Sequence, residues 1–182
     1  GWALPAGPLR ELPSRLDEVD AIVLNASDDP IESRTPRFAA TNELGDVMRL
    51  ADGTRRTIED LAHRIAEKEA TVLTAAGIAA PDRFFDMLAA HDIEGNTLAL
   101  GDHFDFSVNP FAKAPERYIL ITGKDAVKAV QNPQIKNDRR IWVAEYRTQL
   151  DPYLVQFVVE RLTEAAERRH IEIVPAVEQI TH

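Results

Sequence analysis

The chain has 182 residues, 45% of them apolar and 28% charged, with a net charge of -9 and no cysteine. That length gives about one to one and a half domains with a real core, and the balance is that of a globular protein, not a disordered or fibrous one. Without cysteine a disulfide scaffold, a zinc knuckle and a thiol nucleophile are excluded, and the acidic balance argues against broad nucleic-acid binding.

No apolar run approaches the roughly 18 residues that cross a bilayer, and the opening residues do not read as a signal peptide. The expectation is a cytosolic α/β protein. The first residues, Gly1-Trp2 followed by Leu4-Pro5-Ala6-Gly7-Pro8-Leu9-Arg10-Glu11, read as a rigid loop, since prolines and glycine interrupt helices and strands. A loop is an odd opening for a chain, which suggests excision from a longer one.

Ser14 can cap a short helix through Val19, and Ala21 to Asn25 is a short buried strand. No earlier strand is available to pair with it, so its sheet is expected from residues upstream. Asp28-Asp29-Pro30 and Thr35-Pro36 break regular structure. Phe38 to Leu44 and Val47 to Leu50 then read as a two-stranded ribbon folded at Gly45-Asp46, with Asp52-Gly53 turning the chain out of it.

Thr57-x-x-Asp60 can cap a helix that carries Ile58, Leu61, Ala62 and Ile65 at helical spacing. Thr71 to Ala76 is a buried strand ending at Gly77, and Pro81-Asp82 opens a helix with Phe84, Phe85 and Leu88 toward a core. Thr97 to Leu100, Tyr118 to Thr122 and Ile141 to Ala144 are further strands, with helices at about 125–130 and 152–169. Leu154, Phe157, Val158, Leu162 and Ala165 form an apolar stripe on the last helix, read as core. Strands alternating with helices predict an open, mostly parallel sheet.

Three places could carry chemistry. Arg10 offers a planar fork suited to phosphate, and Glu11 beside it a hard oxygen suited to magnesium; a surface ion pair is the plainer reading. Gly101-Asp102-His103-Phe104-Asp105 follows a strand end, where open α/β sheets gather ligands. There His103 can move a proton with Asp102 beside it, Asp102, His103 and Asp105 could hold a metal, or the aspartates could simply cap a turn. Thr122-Gly123-Lys124-Asp125 could meet an anion at a helix start or only cap that helix. It is no Walker A loop, because Tyr118 stands where the first glycine belongs and Asp125 where Ser or Thr is required.

Taken in order, the run Leu4 to Glu11, Ala76-Gly77-Ile78 with Pro81, Arg83, Phe84 and Phe85, Asp102-His103, and Thr122 with Lys124-Asp125-Ala126-Val127-Lys128 resemble the tetraacyldisaccharide 4'-kinase family, the lipid A kinases of Gram-negative bacteria. The resemblance runs to about Val143. It implies transfer of the ATP γ-phosphate to the 4'-hydroxyl of a tetraacylated disaccharide 1-phosphate, giving lipid IVA at the cytoplasmic face of the inner membrane. It also implies a P-loop domain joined by a two-stranded ribbon to a smaller α/β/α domain.

On that pattern residues 1–27 are the remnant of the P-loop domain, 28–56 the ribbon linker and 57–182 the small α/β domain. The P-loop and the membrane-contacting helix are expected upstream, and the fragment is expected to be inactive alone. The family implies that Arg10 contacts phosphate, that Glu11 helps hold Mg2+, and that Asp102 and His103 serve catalysis, His103 pairing with an upstream aspartate to assist proton removal from the sugar. Two departures stand out. Gly123 replaces a usual Glu, and Leu12 replaces the proline that usually follows the Arg-Glu pair, with Pro13 one place later. Competing readings are a non-catalytic module for an anionic sugar lipid and a metal-dependent hydrolase built on Asp102, His103 and Asp105.

Overall fold

A computed structural model describes residues 11–25 and 33–169. In chain order these form a short 3-10 turn at Pro13–Asp17, then β1 (Ile22–Asn25), β2 (Arg37–Arg49), β3 (Arg55–Arg56), α1 (Ile58–Glu67) and β4 (Val72–Ala76). There follow α2 (Pro81–Ala89), β5 (Asn96–Ala99), β6 (Tyr118–Thr122), α3 (Gly123–Ala129), α4 (Pro133–Lys136), β7 (Ile141–Leu150) and α5 (Pro152–Arg168). The contacts divide the chain into two compact units. Glu43–Arg147 is one, and the described residues before and after it form the other.

The middle unit is built on parallel strands in the order β7-β6-β4-β5, with Ile119 beside Ile141, Leu73 beside Ile119 and Leu73 beside Asn96. Parallel strands need crossovers, and these sequences supply them. Thr57 caps α1 by accepting from the Asp60 N–H, and Pro81 opens α2, where a missing N–H costs nothing.

Alternate side chains of the central strands enter two cores. Val72, Ala76, Leu120, Trp142 and Ala144 meet α1 and α2 through Leu61, Phe84 and Leu88. Leu73, Ala75, Ile119, Ile121, Ile141 and Val143 meet α3, α4, Phe106 and Phe111. The period of two within near-continuous apolar runs is what a sheet covered on both faces requires.

Gly95 marks the tightest crossing. A Cβ there would lie 2.2 Å from the Val72 carbonyl oxygen, which is backbone and cannot swing aside. Gly95→Ala should therefore destabilise the fold by about 3 kcal/mol, near the top of the overpacking range. A urea midpoint within error of the parent would show that the crossing has slack.

Outside the parallel core the structure departs from the sequence reading at several places. Ser14 does not cap a helix: Leu12 occupies the cap position before a 3-10 turn of five residues, because Pro13 takes the first helical place. The strand at Ile22–Asn25 has its partner within the chain, pairing parallel with the start of β2 from Ile22↔Arg37 to Asn25↔Ala40.

Gly45-Asp46 is no turn. β2 runs straight through it, and its hydrogen-bonded neighbour is β7, which continues past Ala144 to Leu150. The exposed residues 146–150 lack the buried apolar run by which the earlier part of β7 is recognised. Asp52-Gly53 does turn, into the two-residue strand β3 against β2.

The apolar stripe of α5 is not core. Leu154 is buried, but Val158 and Leu162 are 43% and 59% exposed, as are Val155 and Val159 at 57% each. α5 itself groups with the chain's first segment through Arg161–Asp20 at 2.7 Å and a Phe38–Phe157 ring contact at 5.3 Å. The compact units divide at 42/43 and 147/148.

Candidate active-site edge and family relationships

Within the middle unit β4 and β5 lead at their carboxyl ends into loops and β6 runs directly into α3, the edge where open α/β sheets hold their ligands. The loop after β5 carries His103. Its imidazole is 88% exposed, with the Asp102 carboxylate 3.7 Å from Nε2. Asp102 and His103 are neighbours in the chain, and their 3.7 Å separation is beyond a direct hydrogen bond. His103 has φ +62, in the left-handed region that a residue with a side chain enters only when its surroundings insist.

Those surroundings are specific. Phe104 N–H donates back to the Gly101 carbonyl at 2.9 Å. The Phe104 ring meets Phe106 edge-on at 5.0 Å, and Phe106 and Phe111 are fully buried. Phe106 also has positive φ, and its carbonyl accepts from the Asn132 amide at 3.0 Å. Lys128 Nζ donates to the Phe104 carbonyl at 3.3 Å.

Asp105 faces the turn. It accepts from Ser107 N–H at 2.9 Å and Ser107 Oγ at 2.8 Å, bonds that hold its carboxyl below the usual range, with Lys128 adding to the effect. Among the described residues no three acidic or histidine side chains are placed to hold a metal ion. Asp105 is turned to Ser107 and serves the turn.

The last residue of β6, Thr122, caps α3. Thr122 accepts from the Asp125 N–H at 3.2 Å and donates its hydroxyl to Asp125 Oδ2 at 2.7 Å. Asp125 is 1% exposed and also accepts from the Gly77 N–H at 3.0 Å, so it straps the loop after β4 to α3. Gly77 is required here because a Cβ would come 2.9 Å from Asp125 Oδ1. Lys124 is exposed beside this buried strap.

Tyr146, just past the buried part of β7, packs on Phe84 at 6.3 Å. Burial pushes its phenol above the ordinary value, Arg83 opposes that and Asp125 adds to it. Sequence reading passed over this tyrosine, since the strand was expected to end two residues earlier; the aromatic within a polar stretch was the available signal.

Arg10 lies outside the described residues. Glu11 belongs to the other unit, is exposed, and pairs with Arg15 at 3.2 Å. A single carboxylate is not a magnesium site, although it suits one coordination place among several oxygens. Among the described residues no helix is long and apolar enough to cross a membrane.

The family model described as tetraacyldisaccharide-1-P 4'-kinase matches residues 1–163. The tetraacyldisaccharide 4'-kinase of Janthinobacterium sp. (strain Marseille) is 40% identical over 168 residues, which is 89% of this chain and 46% of that protein. That of Herminiimonas arsenicoxydans is 40% identical over 173 residues, 89% of this chain and 47% of its own.

The crystal structure of Aquifex aeolicus LpxK in complex with ATP superposes with a TM-score of 0.61 at 21% identity, over 87% of this chain and 47% of that one. That likeness shows a shared fold. The chain spans about half the length of the curated relatives it matches. With a family match over most of its length, this chain belongs to the tetraacyldisaccharide 4'-kinase family.

Proposed function

We propose that this chain is the carboxyl-terminal part of a lipid A 4'-kinase, which transfers the γ-phosphate of ATP to the 4'-hydroxyl of tetraacyldisaccharide 1-phosphate. The observation that carries the reading is the family match from residue 1 to 163, with His103 exposed at the carboxyl edge of the sheet inside it. Phosphoryl transfer asks little covalent chemistry of a protein and much positioning and charge balance.

His103 supplies one piece of that balance. A neutral imidazole has a proton affinity suited to pH 7, so it can accept the 4'-hydroxyl proton as the new O–P bond forms and ADP departs. Asp102 stands beside the ring, its carboxylate 3.7 Å from Nε2. Arg10 contacts the phosphates. Glu11 would give one hard oxygen to a magnesium ion, whose charge would neutralise that of the phosphates.

Residues 1–27 complete the P-loop domain, 28–56 link it and 57–182 form the small domain, while membrane contact belongs to the upstream part. The 182 residues contain no Gly-x-x-x-x-Gly-Lys-Ser/Thr run, so the nucleotide phosphates have no backbone nest of that kind here. The purified chain alone should transfer no phosphate from ATP to the disaccharide. Transfer by the chain itself, with contaminating kinase excluded, would overturn this division of labour.

A further inference from the structure

We propose that Lys128, on α3, is a positioning residue that sets the aim of His103; this rests on the reading of His103 as the group that takes the sugar proton. An imidazole that is 88% exposed is not held by packing of its own ring. Its direction must come from the backbone, and that backbone is left-handed at His103 and again at Phe106. Such φ values persist where neighbouring contacts over-determine them.

Two side chains from the adjoining helical segment make those contacts. Lys128 donates to the carbonyl of Phe104, the residue next to His103, and Asn132 donates to the carbonyl of Phe106. A lysine ordinarily extends its ammonium to water, with only the stem lying on the protein. This one turns inward and ends on a loop carbonyl, 24 residues earlier in the chain. Its charge also bears on Asp105, whose carboxylate closes the same turn through Ser107. Phe104 is thus gripped at its amide by Gly101, at its ring by Phe106 and at its carbonyl by Lys128. Removing the last grip frees the Phe104–Asp105 peptide, one residue beyond His103, while the buried Phe106 and Phe111 remain to hold the fold.

The test uses His103→Ala, Lys128→Met, Lys128→Arg and the His103→Ala/Lys128→Met double variant, in the protein that carries this chain at the family's full length. Lys128→Met should lower kcat about ten- to a hundredfold, the scale of a misaimed group, with KM for ATP within about twofold of the parent. Lys128→Arg, which keeps a donor, should recover most of the rate. The double variant should be no slower than His103→Ala, because Lys128 acts through that ring.

Multiplicative losses in the double variant, or parent-like kcat in Lys128→Met while His103→Ala is strongly impaired, would overturn the inference and leave the role of His103 standing. Parent-like turnover in His103→Ala would remove that role and the inference with it. The His103 Cε1–H resonance gives a readout independent of turnover. It should shift or broaden in Lys128→Met at unchanged melting temperature, and an unaltered resonance counts against the inference.

Discussion

His103→Ala, in the protein carrying this chain at the family's full length, should lower kcat about 10²–10⁴-fold, the usual contribution of a positioned acid or base. KM for ATP should change little, since His103 is assigned to the sugar hydroxyl. The structure separates this outcome from a folding defect. His103 is exposed and carries no core side chain, whereas the residues that anchor its loop, Phe106 and Phe111, are buried. Replacing His103 relieves a left-handed residue of its side-chain strain no further than alanine allows, so the melting temperature should stay close to that of the parent. Rate per folded molecule, taken with a melting curve, decides the matter. Near-parent turnover in folded protein would leave His103 as an ornament of its turn.

Asp125→Ala should have the opposite signature, a large loss of stability whatever happens to the rate. The carboxylate is 1% exposed and accepts from two buried donors, the Gly77 N–H and the Thr122 hydroxyl. Alanine leaves both without that acceptor in a dry site. A buried donor left without an acceptor costs about 1–3 kcal/mol, so about 3 kcal/mol is expected for the pair. Chemical denaturation should show the urea midpoint falling accordingly. Both donors meet the same oxygen, Oδ2, so Asp125→Asn with its amide oxygen in that place keeps an acceptor for both and should lose less than alanine. If alanine and asparagine leave the midpoint unchanged, the strap between β4 and α3 contributes nothing.

These two residues also mark how far the amino-acid sequence can be read. The strands over 72–76, 118–122 and 141–144 were legible because their apolar runs are buried on both faces. His103 was legible as a site candidate because it follows such a strand directly. The role of Asp125 was only half legible. Its spacing from Thr122 announces a helix cap, but its bond to Gly77 reaches 48 residues back, and no local pattern encodes that contact.

The exposed arm of β7 failed for a related reason. Residues 147–150 are exposed, so strand pairing with β2 in this arm leaves no buried apolar run to read. In α5 the trace misled. Its apolar spacing is helical, but most of that stripe is exposed in the described structure. Glu11 shows the remaining gap: its neighbour in the structure is Arg15, and the ligands it is proposed to share come from the nucleotide.

The most direct measurement is phosphate transfer from γ-labelled ATP to tetraacyldisaccharide 1-phosphate by the family-length protein containing this chain, with the labelled position identified on the product. Label is expected at the 4'-oxygen, dependent on magnesium and strongly reduced by His103→Ala. Label released as free phosphate, or placed at another oxygen of the disaccharide, would contradict it.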